Sequence, residues 1–260
     1  DGTTWTRQEL TGWPALIDLA ECPNGQLAAL AAEGQVLVST DDGQSWTPNA
    51  IQTEESPQGI ACDHRNWLWV VGSFSTIIAS ADGGRTWDDK SIGDDIIFTS
   101  VQFIDGQNAV IFGEFGSNLR STDAGETWTP GDPLPNDFYT QDALFTDVST
   151  GWIAGLAGQI LHTANGGVTW SLQKTPTLAP IYGMVVVGEG IYAVGGEGVL
   201  LRRDGDTWVR VEHGKPVRLL LRVAQAVGND RLLIGGAGGA LHVVPVGGES
   251  GGGAAETAGN

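Results

Sequence analysis

A chain of 260 residues with 39 Gly, 10 Trp and only 17% charged residues is long enough to bury a core unaided, and it holds no apolar run approaching the roughly 18 residues of a membrane-spanning helix. Its formal charge, 13 − 31 = −18, repels nucleic acid and anionic lipid surfaces and favours cationic or neutral partners. The acids are spread through turns, as on a soluble surface, and form no acidic tail.

The elements read in chain order as one repeating unit. "TWTRQEL" (4–10) predicts an outermost strand, and "ALIDLA" (15–20) an innermost one. "LAALAAEGQVLVS" (27–39) follows as a hairpin, leading into the box "STDDGQSW" (39–46). The same order returns as "QGIAC", "VVGSFSTIIAS" and the box "SADGGRTW" (80–87). It returns again as "IIFTSVQFI", "IFGEFGSNLRS" and "STDAGETW" (121–128). "DALFTDV", "IAGLAGQILHT" and "TANGGVTW" (163–170) make a fourth copy, and "YGMVVV", "AVGGEGVLLRR" and the shortened "RDGDTW" (203–208) a fifth. The sixth, "RLLLRVAQAV" and "LIGGAGGALHV", lacks box and fourth strand, after which the Gly-rich "GGESGGGAAETAGN" (247–260) reads as a flexible tail.

The closing tryptophans Trp46, Trp87, Trp128 and Trp170 are 41, 41 and 42 residues apart, Trp208 follows after 38, and Trp5 lies 41 before Trp46. Units of about 41 residues with four strands each match the blade of a β-propeller. The β-branched, Gly-rich makeup excludes helical repeats of similar length. The expected fold is therefore all-β: a six-bladed propeller over residues 1–246 with four-stranded antiparallel blades. The N-terminal strand is expected to supply the strand missing from the last blade, so that removing residues 1–10 costs more stability than removing the tail.

Within each box, S-x-D-x-G-x-[ST]-W, the Asp can accept backbone N–H groups further along the turn, Gly supplies positive φ, and Trp buries a ring beside it. The box thus reads as a fold clamp. Asn165 replaces Asp in the fourth copy, and the boxes around Asp1 and Asp204 are two residues short, which predicts tighter turns. A hard-cation site at Asp41 and Asp42 would need six to eight oxygens that the surrounding sequence does not offer.

The pattern resembles the Asp-box, or BNR, repeat. In families with this repeat the boxes lie on turns between third and fourth strands, away from the ligand face. The texture is similar to photosystem II stability and assembly factors and their bacterial relatives, which implies a noncatalytic binding propeller of an exported protein assisting a membrane-associated complex. Members of that family have seven blades, whereas six are counted here. Six Asp-box blades also look like the sialidase architecture, which uses an arginine cluster, a Tyr nucleophile with a Glu partner and an Asp acid; its R-[IV]-P signature is missing, and only Tyr139, Tyr182 and Tyr192 are available. A glycan-binding or glycoside-hydrolysing propeller is the alternative reading.

Partner contact is expected on the face opposite the boxes. Phe74 and Phe115 occupy equivalent turns, the loops leading into innermost strands add Asp94, Asp95, Phe138 and Tyr139, and Arg218 and Arg222 share one side of the sixth innermost strand. Acids and aromatics on one sector suit a cationic or amphipathic protein segment, or a glycan. No catalytic set, cofactor motif or metal cluster is read: His64, His162, His213 and His242 fall in different units. Cys22 and Cys62 fit either one disulfide or two buried thiols. An opening on Asp1 with no leader before it reads as a processed chain, giving the expectation of a periplasmic or extracellular protein.

Overall fold

The computed structural model describes residues 4–5, 15–213 and 220–246. It is a ring of six antiparallel blades. Blade 1 is β1 (Leu16–Glu21), β2 (Leu27–Ala31), β3 (Gln35–Ser39) and β4 (Thr47–Ala50). Blade 2 is β5 (Pro57–Cys62), β6 (Leu68–Gly72), β7 (Ile77–Ser80) and β8 (Asp88–Asp89). Blade 3 is β9 (Phe98–Phe103), β10 (Ala109–Gly113), β11 (Asn118–Ser121) and β12 (Thr129–Pro130). Blade 4 follows with β13 (Thr140–Phe145), β14 (Gly151–Gly155), β15 (Ile160–Thr163) and β16 (Ser171–Leu172), and blade 5 with β17 (Ile181–Val187), β18 (Gly190–Gly195), β19 (Leu200–Asp204) and β20 (Thr207–Arg210). Blade 6 has three strands among the described residues: β21 (Leu221–Val227), β22 (Arg231–Gly236) and β23 (Ala240–Pro245).

Of the strand expected over 4–10 to close blade 6, residues 6–10 lie outside the described residues, as does the tail 247–260, and Thr4 and Trp5 are described without strand structure. Trp5 is described and lies exposed, unlike the box tryptophans it was counted with.

Successive side chains of a strand point to opposite sheet faces, so each blade feeds two cores. On β6, Leu68 and Val70 pack with Leu30 and Val36 of blade 1 and with Ile60 of their own blade, whereas Trp69 and Val71 pack with Phe98 and Ile111 of blade 3. Being covered on both faces explains why the second strands read as unbroken apolar runs such as "LWVVG" and "AVIFG", buried at every position. Between blades 3 and 4, Phe112 stacks on Phe145 with Trp170 edge-on to both.

Cys22 and Cys62 form a disulfide between blades 1 and 2, which resolves the two sequence alternatives. The turn before Gln35 differs from the others as Ala31 foreshadowed: it is a short Ala-Glu-Gly connection with Gly34 at φ 75°, where blades 3 to 6 have a 3-10 turn. The shortened fifth box is a two-residue hairpin, Asp204 pairing with Thr207.

Candidate functional site

The boxes confirm their structural role atom by atom. In the first, Asp41 accepts the Ser45 N–H at 2.9 Å and hydroxyl at 2.6 Å, the Ser39 hydroxyl bonds Asp41 at 2.8 Å and accepts the Gly43 N–H, and the Trp46 indole N–H donates to the Gly43 carbonyl. The second and third boxes repeat the carboxylate bonds at Asp82 and Asp123. These hydrogen bonds hold the three carboxyls down at about 2: the Ser45 hydroxyl contributes most for Asp41, the Thr86 N–H for Asp82 and the Thr127 hydroxyl for Asp123. Every acceptor is spoken for within its own turn.

At the opposite end of the blades, the turns between second and third strands meet the loops that lead into the next innermost strand. In blade 2 the Ser75 N–H donates to the Ile96 carbonyl and its hydroxyl to that of Asp94. In blade 3 Glu114 exchanges bonds with Ile97, Gly116 donates to the Phe138 carbonyl, and Leu134 donates to Gly116. Phe74 and Phe115 therefore sit on adjacent blades in a surface knitted together by backbone bonds.

Both rings are exposed, 56% for Phe74 and 65% for Phe115, on left-handed backbone with φ of 51° and 54°. The equivalent positions carry Ala157, Glu197 and Gly238. A bulky side chain in this region is strained, and these two repay the strain with no core packing. Asp94 and Asp95 are exposed beside Phe74, and Tyr139 is half-buried.

Phe138 is a correction: only 3% exposed, it packs with Phe112 and Leu134, its ring filling space that Gly155 leaves open. Of the "FY" pair one ring turns in, and a loop position in sequence does not say which. Arg218 lies outside the described residues. Arg222, exposed at the bulge that opens β21, stands 5.4 Å over the Tyr182 ring, so it belongs to the central channel and not to the Phe74–Phe115 surface.

The channel holds two acids that the sequence reading passed over. Asp18 of β1 accepts the N–H of Ile60 in blade 2 at 2.9 Å, together with that of Leu19. Asp142 of β13 does the same for Met184 in blade 5, at 2.7 Å, and for Ala143. Burial drives the Asp142 carboxyl up to about 7 against the pull of those two N–H groups; the Asp18 charge adds to the rise and Arg222 opposes it. Asp18 is raised for the same first reason, although its side chain stays open to solvent. The signal was present as a lone acid in the middle of each innermost apolar run, "ALIDLA" and "QDALF".

Among the described residues no group of three or more His, Cys, Asp or Glu could hold a metal ion. No helix among them is long and apolar enough to cross a membrane.

Residues 44–133 match the family described as Photosynthesis system II assembly factor YCF48. The chain is a propeller that carries Asp-box (BNR) repeats, and over those residues it is similar to that assembly factor. YCF48 from Cyanidioschyzon merolae superposes with a TM-score of 0.71 at 17% identity, over 94% of this chain and 86% of that one. YCF48 bound to D1 peptide gives 0.70 at 19%, over 94% and 84%. Virginiamycin B lyase from Staphylococcus aureus, an enzyme on a similar propeller, gives 0.71 at 12%, over 90% and 85%. No curated protein matches the chain in sequence. At such identities the superpositions fix the fold alone, and function rests on what this propeller's own residues do.

Proposed function

We propose that this propeller is a noncatalytic protein-binding module, an exported accessory or assembly factor for a membrane-associated complex or transporter, and that it meets its partner through the face opposite the boxes. The observation that carries the reading is the pair Phe74 and Phe115: two exposed aromatic rings on adjacent blades, in turns whose backbone disfavours them and whose core does not use them. The similarity to YCF48, one structure of which is bound to a peptide, supports a polypeptide partner. The Cys22–Cys62 disulfide supports a periplasmic or extracellular setting, since such bonds persist in oxidising compartments. Partner recovery from envelope extracts by the intact protein and by Phe74→Asp/Phe115→Asp tests it: loss in the variant is expected, and unchanged recovery discards this face.

One observation favours a second reading. Tyr182 and Arg222 stand together in a channel that also holds Asp18 and Asp142, residue types that sialidase-like chemistry uses. Both acids are committed to capping backbone N–H groups, which is why the binding role is preferred. Turnover of a sialoside or other glycoside that disappears in Tyr182→Phe or Arg222→Met would reverse the preference.

A further inference from the structure

The surface around Phe74 and Phe115 has a charge as distinctive as its aromatics. The stretches that build it, 73–76, 91–97, 114–117 and 131–139, contain Asp94, Asp95, Glu114, Asp132 and Asp137 and not one Lys or Arg. Among the described residues none of these carboxylates takes part in an ion pair. Glu114 spends one oxygen on the Ile97 N–H, while Asp94, Asp95, Asp132 and Asp137 are exposed. On the blade 5 side the corresponding loop carries Lys174 and no acid, while the loop into blade 2 adds Glu54 and Glu55.

Hydrogen bonds from the blade 2 and blade 3 turns to these same loops fix the acids relative to the two rings. A pair of rigid apolar anchors is thereby flanked by uncompensated negative charge. Aromatic anchors supply contact area at small entropic cost, and like charges held together on a protein surface raise the local concentration of cations.

We infer that the half-face over blades 2 to 4 receives a basic segment of another polypeptide, Lys and Arg meeting the acids and its apolar side chains meeting Phe74 and Phe115. This rests on the protein-binding role proposed above and names the chemistry of the partner. An acidic or anionic partner is repelled. A neutral glycan would use the rings and leave the acids idle.

The full-length protein is titrated, by fluorescence anisotropy, into a labelled peptide of roughly 12 residues that alternates Leu with Lys and Arg, and into its twin with Glu at every basic position. Binding of the basic peptide alone is expected, weakening roughly tenfold between about 50 and about 300 mM salt. Phe74→Gly/Phe115→Gly should weaken it roughly tenfold or more while the melting temperature stays or rises, because glycine relieves the left-handed backbone. Asp94→Asn/Asp95→Asn/Asp137→Asn should weaken it and flatten the salt dependence.

Equal binding of the Glu peptide, an affinity indifferent to salt, or full affinity in the glycine variant overturns the inference. If partner recovery from the envelope depends on Phe74 and Phe115 while the basic peptide fails to bind, the docking role stands and the basic partner falls; if neither depends on them, both fall.

Discussion

The box carboxylates and the channel carboxylates are the same functional group in opposite surroundings. Asp41, Asp82 and Asp123 sit at the surface, each in a turn of eight residues that supplies its own donors, and their carboxyls are held at about 2. Asp142 reaches across to a strand 42 residues away to cap Met184, and burial drives its carboxyl to about 7. All four side chains keep some exposure, so what separates them is how many donors the turn supplies against how much protein encloses the carboxyl. The box clamps one blade internally. The channel acid ties two blades together.

The largest effect should come from removing the tie. Near pH 4, where the wild-type carboxyl is still protonated, Asp142→Ala leaves the Met184 and Ala143 N–H groups without their acceptor, a cost of about 2–3 kcal/mol, which for a chain of this size lowers the melting temperature by roughly 5–10 °C. Asp142→Asn keeps a carbonyl acceptor and cannot ionise, so it should lie close to wild type near pH 4 and melt above it at neutral pH. If the alanine variant melts with the wild type, the inter-blade bond is not holding the ring.

Next in size is an opposite response to pH. A carboxyl raised from its ordinary value to about 7 contributes stability that is whole below about pH 4 and is lost as pH rises through 7. Carboxyls lowered to about 2 contribute stability present above about pH 4 and lost as pH falls through 2. Melting temperatures across the pH range should therefore decline on both sides, and Asp142→Asn should remove the part of the decline centred near neutrality while leaving the share of Asp18 and the acid side. A decline near pH 7 that survives this substitution assigns it to another group.

The same contrast explains what the sequence disclosed. The box is a local word in which donor, acceptor and positive-φ glycine lie within eight residues, so its physics is repeated wherever the word is, and the blade count follows from its spacing. Asp18 and Asp142 act on residues 42 positions away, and a lone acid in an apolar run has no neighbours that declare its partner. Their separation of 124 residues, three units of the repeat, places them in the same register of blades 1 and 4, a clue visible only once the strands are aligned. Phe74 and Phe115 were legible because equivalent turns could be compared. Phe138 was not, because the space it fills is made by Gly155 of the next strand, and sequence adjacency to Tyr139 says nothing about that.

The smallest expected effect concerns the box itself, and the molecule already contains the control. In the fourth copy Asn165 accepts the Thr169 N–H at 2.9 Å through its carbonyl oxygen and bonds the Thr169 hydroxyl at 2.9 Å through its amide, reproducing the Asp123 connections to Thr127 with the polarity of one bond reversed. A hydroxyl can donate or accept, so Thr127 can follow the exchange by rotating. Asp123→Asn should then lose only the extra strength of hydrogen bonds to an ion and lower the melting temperature slightly at neutral pH, whereas Asp123→Ala also strands the Thr127 N–H and hydroxyl and the Ser121 hydroxyl and should lower it further, by less than Asp142→Ala does. Equal losses for both variants would mean that the charge matters in this turn and not the pattern of donors and acceptors, and the box would have to be read as an electrostatic feature after all.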